Sequence, residues 1–517
     1  MTSPAVALPE APAPVHREVR LTQLLLWAIA GGAVMACTFA PAGWWWLAPV
    51  AYIPILWCWR NTTPGRAALC GLAFGVAGFA LICSWMWFFG TVAFVPFLIG
   101  MGAFPAITGY AIAQLRTARI RGPWIEAAVW VVFEGLRARV PFGGMPWATA
   151  GSALSPFAPA RALAPYAGVL LVSFVLIAGN ALLLDGATAW VHHARDRRRI
   201  TRAGLGFVSV VLVMLVAWAA WPATTPTGRL RYALLQGNDL NRELTTTELD
   251  DNYLLQSHFH LADDLSGHYD LIVFPESGLG GADPETDAVL RAEVAALARK
   301  HSSWVMLNVN EIVGDVTYNT NRIYDPDGLL VASYRKQHLV PFGEYLPFGW
   351  VKAIAPQIEQ IGSGYAPGEE SLTVPVAGHP LTTVICFESA FGALVRTAAA
   401  DGAQALVLST NNRSYRRSAN SAQHVQLSQW RAAELGRPML HAAISGKSAV
   451  VDPRGQVRQE TKLFERTTLT GEIELRRGQT PYARFGDWFL LGCILASLGG
   501  YAILLIRTAR TPRSKQS

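Results

Sequence analysis

Long uncharged apolar runs fill most of the first 222 residues, and one more lies near the C-terminus. A helix of about 20 such residues matches the roughly 30 Å hydrocarbon core of a bilayer. Eight candidate spans are expected: residues 21–40, 44–59, 67–89, 91–114, 123–140, 162–187, 203–221 and 487–506. The second is short, and the fifth contains Glu126 and Glu134. The first runs straight into WWWLAPVAYIPILWCW with no polar mature start, so it reads as a retained helix and not a signal peptide. A composition of 51% hydrophobic and 15% charged residues agrees with a membrane protein, and 517 residues exceed one ordinary core.

Lys and Arg in short loops set the orientation of such helices. Arg17 and Arg20, Arg60 and Arg66, Arg116, Arg119 and Arg121, the run HHARDRRRITR, and Arg507, Arg510, Arg513 and Lys515 all fall on one side. The opposite connections hold only Arg137, Arg139 and Arg161. Both termini are therefore expected in the cytoplasm and the soluble part outside. This topology accounts for the net charge of +7, and a nucleic-acid partner is not expected. The expected organisation is a cytoplasmic tail (1–20), a helical membrane domain of about seven spans (21–222), a soluble domain (229–477), a last span (487–506) and a second cytoplasmic tail (507–517).

The soluble stretch alternates β-like runs, RLRYALLQGN, YDLIVFPES, SWVMLNVNE, LTTVICFES, QALVLSTNN and MLHAAISGKSAVVDPRG, with helix-period segments. That pattern predicts an α/β domain, whose ligand sites gather at the carboxyl ends of strands. Glu276, Cys386, Asn411 and Asn412 fall at such ends, and the aperiodic segment YRKQHLVPFGEYLPF contributes Arg335, Lys336, His338 and Glu344.

Of six cysteines, Cys37, Cys58, Cys70, Cys83 and Cys493 lie in the apolar runs, where a thiol is a small hydrophobe. Cys386 stands alone in the soluble domain, and an unpaired thiol in an oxidising compartment calls for an explanation. A cation near a cysteine stabilises its thiolate, and a carboxylate can accept its proton. Glu276, Lys336 and Cys386 could therefore act as base, cation and nucleophile. The bland alternatives are a solvated Glu276 in a turn, a surface Arg335–Lys336 pair, and Glu344 and Glu388 as caps or surface partners. His338, His424 and His441 show no metal-ligand spacing and read as structural, and no metal or cofactor is implied.

In combination, PES, YRKQHLVPFGEYLPF and ICFES resemble the nitrilase superfamily, whose members place a Glu-Lys-Cys triad in an αββα sandwich. Membrane spans on both sides narrow the resemblance to the apolipoprotein N-acyltransferase family. QGN (236–238), RAAELGRP (431–438), VDPRG (451–455), TPYARFGDW (480–488) and FGGMPW (142–147) match as well. The resemblance implies Glu276 as general base, Lys336 as stabilising cation and Cys386 as thioester-forming nucleophile, supported by Glu344 and Glu388. It further implies ping-pong acyl transfer from a membrane phospholipid to the α-amino group of a diacylglyceryl-cysteine on an apolipoprotein. The expected setting is the bacterial cytoplasmic (inner) membrane, with a monomer among membrane lipids. A membrane-tethered nitrilase-type amidohydrolase is the alternative.

Phe387, Trp147, Tyr345 and Arg413 are candidates for contact with lipid or substrate. Trp44 to Trp46, Trp85, Trp87 and Trp147 are expected near span ends, as interfacial anchors. The chain departs from the family pattern at Phe387, where Tyr is usual, and over TNNRSYRRSANSAQH, which adds Arg413, Arg416 and Arg417. The segment 343–365, rich in glycine joints, is expected to act as a lid.

Overall fold

The computed structural model describes residues 19–192, 196–222, 224–242, 244–250, 252–347 and 364–510. Most of the expected lid (348–363) lies outside them, as do Arg17, Arg513 and Lys515.

Short turns aside, the first part consists of α1 (Leu21–Cys37), α2 (Ile53–Arg60), α3 (Pro64–Ile82), α4 (Thr91–Thr117), α5 (Pro123–Arg137), α6 (Ala164–His192) and α7 (Arg197–Ala219). Among the described residues α3, α4, α6, α7 and the C-terminal helix from Trp488 are long and apolar enough to cross a membrane. The expected count of eight is not confirmed. Residues 44–59 break into short pieces at Pro49 and Pro54, while α1 and α5 have 17 and 15 residues. At 1.5 Å per residue these two rise only about 23–26 Å. The acidic residues of α5 are buried and paired. Glu126 receives Arg60 at 2.6 Å and Arg116 at 3.0 Å, and Glu134 accepts the Ala150 N–H at 2.7 Å.

The soluble domain is two six-stranded sheets packed face to face. The strands are β1 (Thr225–Gln236), β2 (Leu271–Val273), β3 (Trp304–Val313), β4 (Val316–Tyr324), β5 (Leu330–Arg335), β6 (Thr373–Val376), β7 (His379–Ile385), β8 (Ala405–Thr410), β9 (Met439–Ala443), β10 (Ala449–Val451), β11 (Val457–Glu460) and β12 (Thr467–Arg477). Their orders are β12-β1-β2-β3-β4-β5 and β11-β10-β9-β8-β7-β6. Each sheet has a parallel centre, β1-β2-β3 in one and β7-β8-β9 in the other, with antiparallel strands outside.

Side chains alternate along a strand, so one strand serves two cores. Leu230, Tyr232 and Leu234 of β1 join Val407 and Leu440 between the sheets. Ala233 and Leu235 turn the other way, onto the layer formed by α8 (Tyr253–Asp263) and α9 (Ala288–His301). On the far side α10 (Asn420–Leu435) covers the second sheet through Val425, Ala432 and Leu435. The result is four layers, αββα. Helix α11 (Trp488–Arg510) then returns the chain to the helical base.

The β-like runs seen in the sequence become β1, β2, β3, β7, β8, β9 and β10. Five strands had no such signal. Along β4 (VTYNTNRIY) and β12 (TTLTGEIELRR) polar side chains interrupt the apolar alternation, and β11 is an edge strand with exposed positions.

Candidate active site

The strand ends bring together residues far apart in sequence. Glu276 lies three residues past β2, Lys336 directly follows β5, Cys386 directly follows β7, and Asn411 directly follows β8. Because the sheets face each other, the first two approach from one sheet and the last two from the other.

Lys336 is buried, at 1% exposure. Its Nζ donates to Glu276 Oε1 at 3.2 Å and to Glu344 Oε1 at 2.7 Å. Burial alone would depress this lysine, but the Glu276 and Glu344 carboxylates, with Cys386 nearby, hold it well above its ordinary range. Lys336 is thus a fixed cation. Its neighbour Arg335 points the other way, to Glu311 at 2.8 Å and over the Tyr318 ring, so the two are not a surface pair.

Glu276 is buried and has no freedom to turn. Asn319 Nδ2 donates to its Oε1 at 2.7 Å, and the Asn411 N–H donates to its Oε2 at 2.8 Å. Asn319 also reaches Glu344 Oε1, while Glu344 Oε2 accepts the Val340 N–H at 2.7 Å. Behind Asn319, Asn308 Nδ2 donates to the side-chain oxygens of Asn319 and Asn321, and Asn321 Nδ2 donates to Thr383 in the opposite sheet. A buried amide relay therefore braces the carboxylates across both sheets.

Cys386 has φ +52°, a left-handed conformation that a residue with a Cβ adopts at a cost of about 1–3 kcal/mol. It opens a 3₁₀ turn, Cys386–Ala390, that projects the thiol from the end of β7. Glu388 secures that turn. Fully buried, it accepts the Ile385 N–H (2.7 Å), the Gln337 N–H (2.7 Å), the His338 N–H (3.0 Å) and the Tyr334 hydroxyl (2.9 Å). One carboxylate thereby ties the nucleophile turn to the loop that holds Lys336. Its burial pushes Glu388 above the ordinary carboxylate range, against the pull of these backbone N–H groups.

Burial and the Glu276 charge push the Cys386 thiol up to about 12, against the pull of Lys336 and Thr410. The resting sulfur is therefore protonated and needs a base at the moment of attack. The trio beside it has two carboxylates and one ammonium, so a free thiolate would add a second uncompensated charge.

The remaining candidates lie around this centre. Phe387 packs edge-to-face on Phe391 (5.0 Å) and stacks on Trp147 (6.5 Å). Trp147 and Trp85 are buried at 3% exposure each, in contrast to the expected interfacial anchors; Trp44, Trp46 and Trp87 are exposed. Tyr345 is partly exposed, and its carbonyl accepts the Phe342 N–H at 2.8 Å. Arg413 opens a short turn, its backbone N–H donating to Asn411 Oδ1 at 3.0 Å. Arg416 and Arg417 lie over the rings of Phe88 and Phe464.

Two histidines read as structural sit against the centre. His338 packs against the Phe391 ring, centroids 3.7 Å apart and planes tilted by 34°. His424 Nε2 donates to the Cys386 carbonyl at 3.0 Å, while its Nδ1 accepts from Asn412 at 3.2 Å; burial lowers this imidazole to about 4, so it stays neutral. Asn308, Asn319, Asn321 and Tyr334 were not singled out in the sequence, and mid-strand polar residues inside apolar sheets were the available signal.

Fold and site together define a nitrilase-type, cysteine-centred domain set on a helical base of the kind that spans membranes. The family models described as "Apolipoprotein N-acyltransferase N-terminal domain" and "Carbon-nitrogen hydrolase" match residues 31–182 and 232–481. The apolipoprotein N-acyltransferase of Methylococcus capsulatus is 33% identical over 95% of this chain and 98% of its own length. That of Nitrosomonas europaea is 30% identical over 91% and 96%. The chain belongs to the apolipoprotein N-acyltransferase family. Among solved structures, an amidase from Nesterenkonia sp. AN1 shares 21% identity at a TM-score of 0.37, covering 51% of this chain and 98% of its own.

Proposed function

We propose that this membrane enzyme moves a fatty acyl chain from a phospholipid, through a thioester on Cys386, to the α-amino group of the N-terminal S-diacylglyceryl-cysteine of apolipoproteins. The observation that carries the reading is that Glu276 and Lys336 meet beside Cys386, which stands on a turn whose Phe387, Ala390 and Phe391 belong to the apolar core of the helical base. Both substrates hold acyl chains in the bilayer, and lifting them into water costs roughly 0.8 kcal/mol per methylene. A thiol held against the membrane base avoids most of that cost.

In the first half-reaction, Glu276 accepts the thiol proton as Sγ attacks the ester carbonyl carbon, and Lys336 stabilises the oxyanion. The C–O bond breaks, the lysophospholipid oxygen takes the proton from Glu276, and the acyl group remains on sulfur. In the second, the acceptor's amine attacks the thioester and gives its proton to Glu276. The C–S bond breaks, and Cys386 is reprotonated. Glu344 and Glu388 position these groups. Phe387, Trp147, Tyr345 and Arg413 meet the lipid chains or headgroup.

The arginine distribution supports a membrane protein with both termini in the cytoplasm and the catalytic domain on the outer side. The proposed enzyme works in the inner membrane as a single chain and without a cofactor. The test is intact-protein mass spectrometry of detergent-purified wild type and Cys386→Ser after incubation with phospholipid. A hydroxylamine-sensitive adduct that requires Cys386 and disappears on adding a diacylglyceryl-cysteine peptide, yielding a triacylated peptide, is expected. An adduct that decays in water whether or not peptide is present would instead assign a hydrolase.

A further inference from the structure

Helix α10 is buried on three sides, each with a separate partner. At about 100° per residue, positions 423, 427, 430 and 434 share one face. Leu427 and Trp430 belong to the apolar core of the helical base. The opposite face, with Val425, Ala432 and Leu435, packs on the second sheet. Between them His424 bonds the Cys386 carbonyl, and Arg431 donates to the carbonyls of Ser389 and Ala390. The same helix thus touches the membrane base, the sheet and the nucleophile turn.

Both ends of its base-facing stripe are polar. Glu434 Oε1 accepts the Val169 N–H at 3.0 Å, where α6 is broken at Ala167 and Gly168. Gly168 has φ +73°, and a Cβ there would lie 2.8 Å from the Tyr482 ring, so only glycine suits the break. At the other end, Gln423 is 3% exposed, and its side chain makes four hydrogen bonds, all with the helical base. Its Oε1 accepts Trp147 Nε1 at 2.7 Å and Trp85 Nε1 at 3.0 Å. Its Nε2 donates to the carbonyls of Ile82 at 2.8 Å and Ala40 at 3.0 Å. Primary amides have two donors and two acceptor sites, and no other side chain of this length supplies both. Three stretches of the base (Ala40, Ile82 to Trp85, and Trp147) therefore converge on one amide.

We infer that Gln423 is a positioning residue that fixes the height and orientation of the Cys386 thiol over the helical base, and so its access to acyl chains anchored in the bilayer. The inference rests on the acyltransferase reading. It makes a distinction that a merely structural role would not. Gln423 matters for a donor held by the membrane and not for a small reagent that reaches the thiol from water. Displacements near 1 Å at a reacting centre lower rates by about 100-fold.

The test compares Gln423→Met with wild type, full chain in detergent, by mass spectrometry of Cys386. One rate is thioester formation from dioleoyl phosphatidylethanolamine in mixed micelles; the other is alkylation by iodoacetamide. The expected result is about 30-fold slower thioester formation with alkylation changed less than about threefold. Parallel loss of both rates, or retention of both, overturns the inference. If Gln423→Met does not fold, Trp85→Phe removes one donor to Oε1 and keeps a ring. It should slow thioester formation selectively, by about fivefold, and an unchanged ratio of the two rates overturns the inference. Wild-type protein that is alkylated at Cys386 yet forms no thioester from the phospholipid refutes the proposed function itself, and the inference falls with it.

Discussion

Replacing Glu276 by Gln separates the proposed base from the geometry around it. The amide fits the same space, and its oxygen can still accept Lys336 Nζ and Asn319 Nδ2. Its NH₂, however, would oppose the Asn411 N–H that now donates to Oε2 at 2.8 Å. One unsatisfied buried donor and one lost carboxylate beside Lys336, which keeps Glu344, together destabilise the fold by about 2–4 kcal/mol. The chemical effect should be larger. With the thiol at about 12, roughly one site in 10⁴ to 10⁵ is thiolate at pH 7.5. On the proposed mechanism Glu276 removes that proton during attack; without it the reaction depends on this small fraction. The rate of thioester formation from phospholipid should fall about 10²- to 10⁴-fold. Losing the nearby negative charge lowers the thiol somewhat, which favours the smaller loss. The residual rate should climb about tenfold per pH unit between roughly pH 7 and 9, following the thiolate. The assay is rapid-quench mass spectrometry of the Cys386 thioester across that range. A loss below threefold, or a large loss that is flat with pH, would show that Glu276 is not the base.

Glu388→Gln should unseat the nucleophile turn, because an amide cannot accept all the donors that now reach both carboxylate oxygens. About 2–4 kcal/mol of stability should be lost, with faster hydrogen exchange at the Ile385, Gln337 and His338 amides; unchanged protection there would refute the tie. Gly143 has φ +86°, and a Cβ would lie 2.4 Å from the His338 ring. Gly143→Ala should therefore cost about 1–3 kcal/mol in detergent unfolding and disturb the loop that follows Lys336; wild-type stability would show that the loop simply shifts. His424 and His258, both lowered to about 4 by burial, are neutral when folded and titrate near 6.5 when unfolded. The unfolded state binds more protons between these values, so their contribution is complete above about pH 6.5 and is lost as pH falls towards 4, by up to roughly 3 kcal/mol each. The raised carboxyls of Glu388 and Glu434 act in the opposite sense. Unfolding followed from pH 7 to 4 should show a net loss that His424→Asn reduces; an acid-insensitive wild type would contradict this account.

Hydrophobic patterning is local, so the division into an apolar helical base and an alternating α/β domain was legible in the sequence. Strand-end logic and the lone soluble thiol likewise brought Glu276 and Cys386 forward. Lys336 could not be told from a surface residue by pattern, since Arg335 beside it has the same charge and only β5 turns the two apart. β4 escaped detection for a related reason: its Asn319 and Asn321 read as loop residues until Asn308, Glu276 and Thr383 supply their partners.

The sequence by itself determined which segments leave water and which residue types could perform acyl transfer, because burial periodicity and side-chain chemistry are written residue by residue. Only the tertiary structure decided that α1, α2 and α5 fall short of the long spans, that Glu388 binds the nucleophile turn to the lysine loop, and that Gln423 binds that turn's helix to the base. Each of these depends on where a buried polar group finds its partner. Such a partner can be hundreds of positions away, as Trp85 is from Gln423. Burial makes the pairing obligatory, but nothing in the neighbouring sequence specifies it.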